Sequence, residues 1–446
     1  MENADQIAKL CLQQYNSFGT GGAKPRIRQD GRYEWTVLAG IVLSIKSEWH
    51  CIALATGVKA LPFSHLSKHG DLLHDSHAEV LARRAARHWL LQRLLDENED
   101  LTSSQPKGIS RIFVKNDKFP PFGLCEDADL HLYCSTLPCG DMSSSLIISE
   151  QHEPNIQTPS ISVLRGRIMS SSSQTHIRTK PGRPQAEPSI SMSCSDKIAN
   201  WTLMGIQGAL LYGIMGKILL KSYVIGNQAF VNQSNVLENC QKILQKKCGN
   251  HPIPQMIFTG CPFLHSRESV QEDLLKYRPD ACVSGPSDDQ DLVPSANSLI
   301  WCLGAKPQGI VEGHRQGAAL RRSAGEPLRQ SSRSTFCKLQ WFRFFCDAQK
   351  RLAMQQVSKA TYYKCKEDIP QYRQQKHLLR GTSEMNDIDR LAYQQEAINA
   401  FLEQQQSSSH SWPIQDEAPF AGWLVSSPLL EQFDLIGLEI IQNVVQ

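Results

Sequence analysis

The chain has 446 residues, of which 41% are hydrophobic and 20% charged, and its formal net charge is +3. This hydrophobic content is ample for a packed core, while so small a net charge does not by itself indicate a nucleic-acid-binding protein. The largely polar first ten residues exclude a secretory signal and the apolar run at 36–45 is too short to cross a bilayer, so we expect a soluble intracellular protein with reduced cysteines.

The predicted elements begin with two strands and a helix. Residues 35–45 and 51–60 are rich in β-branched and apolar side chains, which is typical of neighbouring strands. Asp75 and Ser76 are candidate caps for the helix that follows. The buried face of that helix is indicated by apolar residues at helical spacing, namely Ala82, Ala85, Ala86, Trp89 and Leu90.

Further strands are predicted at 111–115 and 130–136, and Pro138 after the second one suits the first position of another helix. Residues 143–193 are rich in Ser, Pro, Gln and Arg and predict an irregular insertion. A helical pattern covers 201–215, an apolar strand is predicted at about 219–225, and polar loops are predicted at about 284–297 and 404–412. Alternating strands and helices indicate the α/β class, here as a single domain over 1–446.

Two short segments carry the residue types of zinc-dependent nucleobase deamination. They are His77-Ala78-Glu79 and Pro138-Cys139-Gly140-Asp141. Hydrolytic deamination needs a hydroxide at neutral pH, and a zinc ion with three protein ligands lowers the pKa of a water in its fourth position to about 7. His77 and Cys139 are therefore candidate ligands. Glu79 is the candidate carboxylate that moves a proton from the water to the leaving amine.

The third zinc ligand is not evident from local spacing. Met142 stands where such sites usually have a second cysteine, and a thioether is a poor zinc ligand. The thiols of Cys125, Cys134 and Cys194 are the candidates. Cys194 lies in a Ser-Cys-Ser-Asp-Lys segment, whereas Cys134, on a predicted strand, is better explained as a core residue and is the fallback.

The segments at 77–79, 138–141 and 193–197 together resemble the adenosine deaminases that act on RNA, and the resemblance continues through residues 55–59 and 205–209. It implies a cytidine-deaminase-like sheet flanked by helices, with Cys194 as the third zinc ligand. It also implies that adenosine is flipped out of an RNA loop and hydrolysed at C6, with Glu79 shuttling the proton. Within the family, the chain looks most like members that convert the adenosine immediately 3′ of the anticodon of alanine tRNA to inosine.

The same resemblance implies a buried inositol hexakisphosphate within a C-terminal extension. Tyr and Lys alternate at four-residue spacing in two pairs, 362/366 and 372/376, with Pro370 breaking any helix between them. On its own this pattern is typical of a solvated helix, but a polyphosphate would satisfy many buried cations, which are costly unless paired. The implied binding residues are Arg83, Arg84, Lys197, Trp201, Lys338, Tyr362, Lys366, Tyr372, Lys376 and Trp423.

Four basic residues are predicted to contact RNA. Lys59 resembles the part of the family that approaches the target nucleotide, next to Val58 where some relatives contact the ribose hydroxyl. Arg178, Lys180 and Arg183 form a basic cluster that we expect to contact phosphates. A solvated surface is the alternative for each of them.

Three other functions are possible on the sequence alone: an editor of duplex RNA, a zinc-stabilised RNA-binding module without catalysis, and a free-nucleoside deaminase. A deaminase pattern that begins near residue 35 leaves little length for duplex-RNA-binding domains, and the presence of Glu79 argues against an inert module. Free-nucleoside deaminases are usually far shorter. The expected partner is thus tRNA, with no membrane and no obligate protein partner, and with nucleus and cytoplasm both open.

Overall fold

The computed structural model describes residues 2–19, 23–99, 109–143, 163–164, 177–182, 186–226, 234–277, 291–318, 326–354, 361–383, 385, 392, 394–399, 420, 423–424 and 430–437. Its strands are β1 (Tyr33–Trp35), β2 (Leu38–Ile45), β3 (Glu48–Thr56), β4 (Val58–Ala60), β5 (Asp75–His77), β6 (Phe113–Lys115), β7 (Phe122–Leu124), β8 (Ala128–Cys134), β9 (Val163–Leu164), β10 (Ile177–Arg178), β11 (Ser222–Gly226), β12 (Gln255–Thr259), β13 (Leu292–Pro294), β14 (Asn297–Cys302), β15 (Gln308–Val311) and β16 (His314–Arg315).

The helices are α1 (Glu2–Ser17), α2 (Ala78–Glu99), α3 (Cys194–Met204), α4 (Gly208–Met215), α5 (Ser234–Cys248), α6 (Arg267–Tyr277), α7 (Lys338–Arg351), α8 (Tyr362–Glu367) and α9 (Pro370–Leu379). Short 3₁₀ turns cover Phe63–His65 and Gln330–Ser332. Among these described helices, none combines the length and the apolar character needed to span a membrane.

Eight strands form one mixed sheet in the order β12-β11-β8-β2-β3-β14-β15-β16. Strands β8, β11 and β12 run parallel to one another, and the other neighbours in the sheet are antiparallel. Strand β1 lies outside this sheet and pairs in parallel with β13. The structure thus confirms a mixed α/β fold with a central sheet.

Strand β2 shows why helices cover both faces of the sheet. All of its residues are buried, and alternate side chains of a strand point to opposite faces. Ile41 and Leu43 belong to the core beneath α2, whereas Leu38 and Val42 belong to the core beneath α1. The buried face predicted for α2 is confirmed.

The N-terminal helix α1 is absent from the sequence predictions. Its buried side chains follow helical spacing, namely Ala4, Ile7, Ala8, Cys11 and Tyr15. Most positions between them in the first ten residues are polar, so this stretch looks polar on average although one face of the helix is apolar.

Several predicted boundaries are wrong. The stretch 35–45 is divided between two sheets, and 51–60 is interrupted at Gly57. Asp75 and Ser76 lie in β5 and do not cap α2, because Asp75 Oδ1 accepts the backbone N–H of His77 at 3.0 Å. Pro138 does not begin a helix, since a turn follows it and helical backbone starts only at residue 141.

The predicted insertion and loops agree with the structure in some parts and differ from it in others. Residues 177–182 and 186–193, the described C-terminal part of the 143–193 insertion, are irregular as predicted apart from β10 and two bridge residues. Residues 177–180, 190, 192 and 193 are nevertheless buried, so this part is packed, contrary to the prediction. The predicted loop at 284–297 includes β13 in its described part, while 404–412 lies outside the described residues. The predicted break at Pro370 is confirmed, because this residue opens α9.

Candidate active site

Gly57 fixes the backbone from which His77 and Glu79 project. It joins β3 to β4 with a φ of +144°, and its carbonyl accepts the N–H of Ala78, the first residue of α2, at 3.0 Å. A Cβ at position 57 would lie 2.1 Å from the carbonyl oxygen of Ser76. Strands β4 and β5 pair so that Val58 lies opposite His77. Residues 55–59 therefore hold the backbone of His77, the first candidate ligand, in place.

The two candidate cysteine ligands meet between a turn and a helix start. Cys139 lies in the turn after β8, and Cys194 is the first residue of α3. The Cys194 N–H donates to Cys139 Sγ at 3.3 Å. Gly140, with a φ of +110°, allows this approach because a Cβ there would lie 2.3 Å from Ser193 Oγ.

The three candidate ligand atoms have the spacing of a zinc site. His77 Nδ1 lies 3.8 Å from Cys139 Sγ and 3.7 Å from Cys194 Sγ, and all three atoms lie within 4.8 Å of one another. Tetrahedral zinc with Zn–S of about 2.3 Å and Zn–N of about 2.0 Å requires N···S separations of about 3.6 Å. The donor set fits zinc and leaves one coordination position for water.

The charges around the two thiols favour a thiolate at Cys139. A hydrogen bond from the Cys194 thiol, followed by the charge of Lys180, holds the pKa of Cys139 well below its usual range. Burial raises the pKa of Cys194. Lys180 Nζ lies 2.6 Å from Cys194 Sγ, so an ammonium already supplies part of the positive charge that two thiolates require.

The alternative ligands lie elsewhere. Cys134 is fully buried on β8, and burial, followed by the charge of Glu79, raises its pKa. Cys125 Sγ contacts the Arg111 carbonyl oxygen at 3.7 Å, and Met142 is buried in the core. Within the described ranges, His77, Cys139 and Cys194 are the one group of three such side chains with metal-binding spacing. Glu79 is itself buried, in the second position of α2 beside this group.

Asp75 and Lys180 are additional polar residues of the site, whereas the sequence predicted a helix cap at Asp75 and an RNA contact at Lys180. Asp75 Oδ2 contacts Lys197 Nζ, accepts the Ser191 hydroxyl at 2.7 Å, and lies 3.6 Å from Lys180 Nζ. Burial alone would raise the pKa of Asp75, but the charges of Lys180 and Lys197 hold it well below its usual range. Asp75 therefore stays ionised between the candidate metal ligands and Lys197.

The structure contradicts the prediction that Arg178 and Lys180 contact RNA phosphates from the surface. They are 4% and 3% exposed, and their charges are paired with those of Asp141 and Asp75. Their high local charge therefore balances buried carboxylates. Arg183 lies outside the described residues, whereas Lys59 is exposed on β4, so its contact with RNA stays a prediction.

A second group of cations includes Arg83 and Arg87 of α2 and Arg380, which follows α9. Each of these three guanidinium groups faces an indole ring. The distance from the guanidinium carbon Cζ to the ring centroid is 5.1 Å for Arg83 over Trp201, 4.6 Å for Arg87 over Trp341 and 5.5 Å for Arg380 over Trp423. The Nε atoms of Arg83 and Arg87 and the Nη1 atom of Arg380 are buried and have no hydrogen-bond partner among the described residues. Arg87, Arg380 and Trp341 were not among the predicted residues, because nothing in their local sequence marks them.

The lysines of this pocket are only partly paired. Glu431 pairs with Lys338 at 2.8 Å and with Lys366, while Lys376 lies 3.6 Å from Glu367. Burial, followed by the charges of Arg380 and Lys366, lowers the pKa of Lys376 to about 7. Burial likewise lowers the pKa of Arg83 to about 9 and that of Arg380 to about 10.

The predicted tyrosines and the remaining cations are distributed around the same pocket. Tyr362 stacks on Phe433, and Tyr372 packs edge-to-face on Tyr212. Burial lowers the pKa of Arg87, and the charge of Arg84 lowers it further, whereas Tyr362 has the opposite effect. Lys197, one of the ten predicted inositol-phosphate residues, contacts Asp75 and Ser191 instead. Buried donors without acceptors are the feature that a polyanion would satisfy.

Comparisons with known proteins identify the family of this chain. Residues 53–388 match the family described as the adenosine-deaminase (editase) domain. The chain therefore belongs to the adenosine-deaminase (editase) family.

Its relatives include two proteins named tRNA-specific adenosine deaminase 1. The one from Drosophila melanogaster is 32% identical over 338 residues, which cover 71% of this chain and 76% of the relative. The one from Schizosaccharomyces pombe is 36% identical over 235 residues, covering 51% and 58%. The double-stranded RNA-specific editase Adar of Drosophila melanogaster is 32% identical over 239 residues, covering 50% and 33%.

Proposed function

We propose that this chain is a zinc-dependent hydrolase that converts adenosine to inosine in tRNA, at the adenosine 3′ of the anticodon of alanine tRNA. The observation that carries the proposal is the convergence of His77, Cys139 and Cys194 beside the buried carboxylate of Glu79. We also propose that the chain forms a single editase domain. The family match over most of its length supports that view.

In this proposal, His77, Cys139 and Cys194 hold zinc, which when bound supplies a water of lowered pKa. Glu79 accepts the proton of that water as its oxygen adds to C6 of the adenine ring. The same carboxylate then delivers the proton to the exocyclic amine, the bond from C6 to that nitrogen breaks and ammonia leaves. The remaining proton of the added oxygen moves to N1, which leaves the C6 carbonyl of inosine. Burial of Glu79 keeps bulk water from competing for this proton.

The assignment to tRNA rather than to duplex RNA rests on the relatives. The similarity to a protein named for tRNA covers 71% of this chain, while the similarity to the Adar editase covers 50%. Lys59 is proposed to contact a phosphate next to the target nucleotide, because it is exposed on β4 and its backbone pairs with Ser76, the residue before His77.

We further propose that the pocket of buried cations binds inositol hexakisphosphate. Support comes from nitrogen atoms of Arg83, Arg87 and Arg380 that have no partner among the described residues, and from the depressed pKa of Lys376. A ligand with several phosphates would pair with these groups together, where a single carboxylate such as Glu431 satisfies only two lysines.

The function is tested by incubating the purified chain with total tRNA, mapping inosine by sequencing, and repeating the assay with duplex RNA. Glu79→Ala is the negative control. Inosine 3′ of the anticodon in alanine tRNA is the expected result, and inosine in duplex RNA alone would overturn the assignment to tRNA. Phosphate analysis of the denatured protein tests the second cofactor, which would be refuted by an active enzyme without stoichiometric inositol phosphate.

A further inference from the structure

Each candidate cysteine ligand is followed two residues later by an aspartate. Asp141 follows Cys139, and Asp196 follows Cys194. Both carboxylates are buried, and both contact the same ammonium group. Lys247 Nζ lies 2.8 Å from Asp141 Oδ2 and 2.7 Å from Asp196 Oδ1. One lysine therefore connects the two backbone segments that carry the thiols.

A second cation closes this arrangement into a ring. The Arg178 guanidinium pairs with Asp141, and the Arg178 backbone N–H donates to Asp196 Oδ2 at 2.9 Å. Among the described residues, two carboxylates thus face two cations in this ring. Buried ion pairs of this kind favour a single geometry more than they favour stability.

Lys247 belongs to neither ligand segment. It lies in the last turn of α5, where the next residue, Cys248, contacts the carbonyl oxygen of Ala199 on α3 at 3.7 Å. Its amine therefore reaches both aspartates from a separate helix. The described contacts of the Lys247 amine include both aspartates, and we attribute its influence on the metal to the two backbone segments that carry them.

We infer that Lys247 is a positioning residue that sets the separation of the Cys139 and Cys194 thiols before metal binds. This inference rests on the proposed zinc site. Groups that orient metal ligands from outside the coordination shell typically contribute about 10- to 100-fold to metal affinity. Without the ammonium, Asp141 and Asp196 repel each other in the protein interior, and the two cysteine segments move apart.

The test compares zinc affinity in variants of the full chain by competition with a chelator. Lys247→Met is expected to weaken zinc binding about 10- to 100-fold. Lys246→Met, at the exposed neighbouring position, is the matched control and is expected to bind as the wild type does. Lys247→Arg, which can contact both carboxylates, is expected to recover most of the affinity. Saturating Co²⁺ gives a second measurement, since its absorption bands should shift in Lys247→Met and not in Lys246→Met.

A purely structural role is distinguished by the double variant Asp196→Asn and Lys247→Met, which keeps the pair between Asp141 and Arg178. Removing these two opposite charges should restore metal-free stability relative to Lys247→Met while leaving zinc binding weak. The inference is overturned if Lys247→Met binds zinc like the wild type, or if the double variant regains wild-type affinity. A wild-type chain that binds no zinc would instead overturn the proposed metal site and this inference with it.

Discussion

Lys376 provides a test of whether the buried cations lack a counter-ion in the ligand-free protein. Its pKa falls from 10.5 to about 7, chiefly because of burial. Each tenfold change in an acid dissociation constant corresponds to about 1.4 kcal/mol, so this difference sets a ceiling of about 5 kcal/mol on the cost of keeping Lys376 charged. Because its side chain is 18% exposed and lies 3.6 Å from Glu367, we expect about half of that ceiling, ~2 kcal/mol.

The sign of the pH dependence follows from proton binding. Between pH 7 and pH 10 the unfolded chain keeps the Lys376 proton while the ligand-free folded chain loses it, so stability rises with pH in this window. Below pH 7 both states are protonated and the whole cost is present. Lys376→Met should therefore stabilise the ligand-free protein by ~2 kcal/mol at pH 6.5, with the gain disappearing near pH 10.

Urea unfolding followed by tryptophan fluorescence at pH 6.5, 8 and 10 measures this difference in ligand-free protein. Lys364→Met is the control, since Lys364 is on the neighbouring helix α8 with a side chain that is 64% exposed. With inositol hexakisphosphate added, the sign should reverse, because Lys376 would then have a phosphate partner. The reasoning is wrong if the stability difference between wild type and Lys376→Met stays the same at pH 6.5 and pH 10.

Three further predictions concern the metal site and its support. Glu79→Ala should keep zinc and fold while deamination falls about 10²- to 10⁴-fold, measured as inosine formed per metal-loaded enzyme; a wild-type rate would exclude its role in proton transfer. Cys194→Ala should lose zinc and activity together, whereas Cys134→Ala should keep the metal, and metal analysis that found the reverse would invalidate the ligand set. Gly57→Ala should lower unfolding free energy by about 3 kcal/mol or more, because its Cβ would meet the Ser76 carbonyl oxygen at 2.1 Å. Gly31→Ala, at a φ of +83° with open space around it, should cost far less, and equal losses in thermal unfolding would contradict the steric argument.

The sequence predicted those parts of the molecule that depend on short segments. Helical spacing identified the buried face of α2, and two short segments identified His77 and Cys139, while the family resemblance supplied Cys194, whose side chain converges with theirs in the structure. These predictions succeed because local periodicity and ligand chemistry each restrict residue type. Strand ends were less accurate, since the interruption at Gly57 depends on a contact with Ser76 that only the folded chain provides.

The tertiary partners of charged residues could not be predicted from the sequence. Arg178 and Lys180 look like a basic surface segment, yet they are buried against Asp141 and Asp75, which are distant in sequence. Arg87 carries no motif, but it is drawn into the pocket because it lies one helical turn beyond Arg83. A basic run alone therefore cannot distinguish an RNA contact from an internal counter-ion, because the distinction depends on which acidic residue tertiary folding brings beside it.

The two buried charge systems differ in how they are balanced. Around the cysteine ligands, Asp141 and Asp196 face Arg178 and Lys247, so the protein supplies its own counter-ions there. In the other pocket, arginine nitrogens keep no partner within the described part of the chain. A balanced site can reach its geometry before metal arrives, whereas an excess of buried positive charge opposes folding until an anion neutralises it. In the proposed function, the metal serves the reaction, and the inositol phosphate serves the stability of the fold that holds the metal.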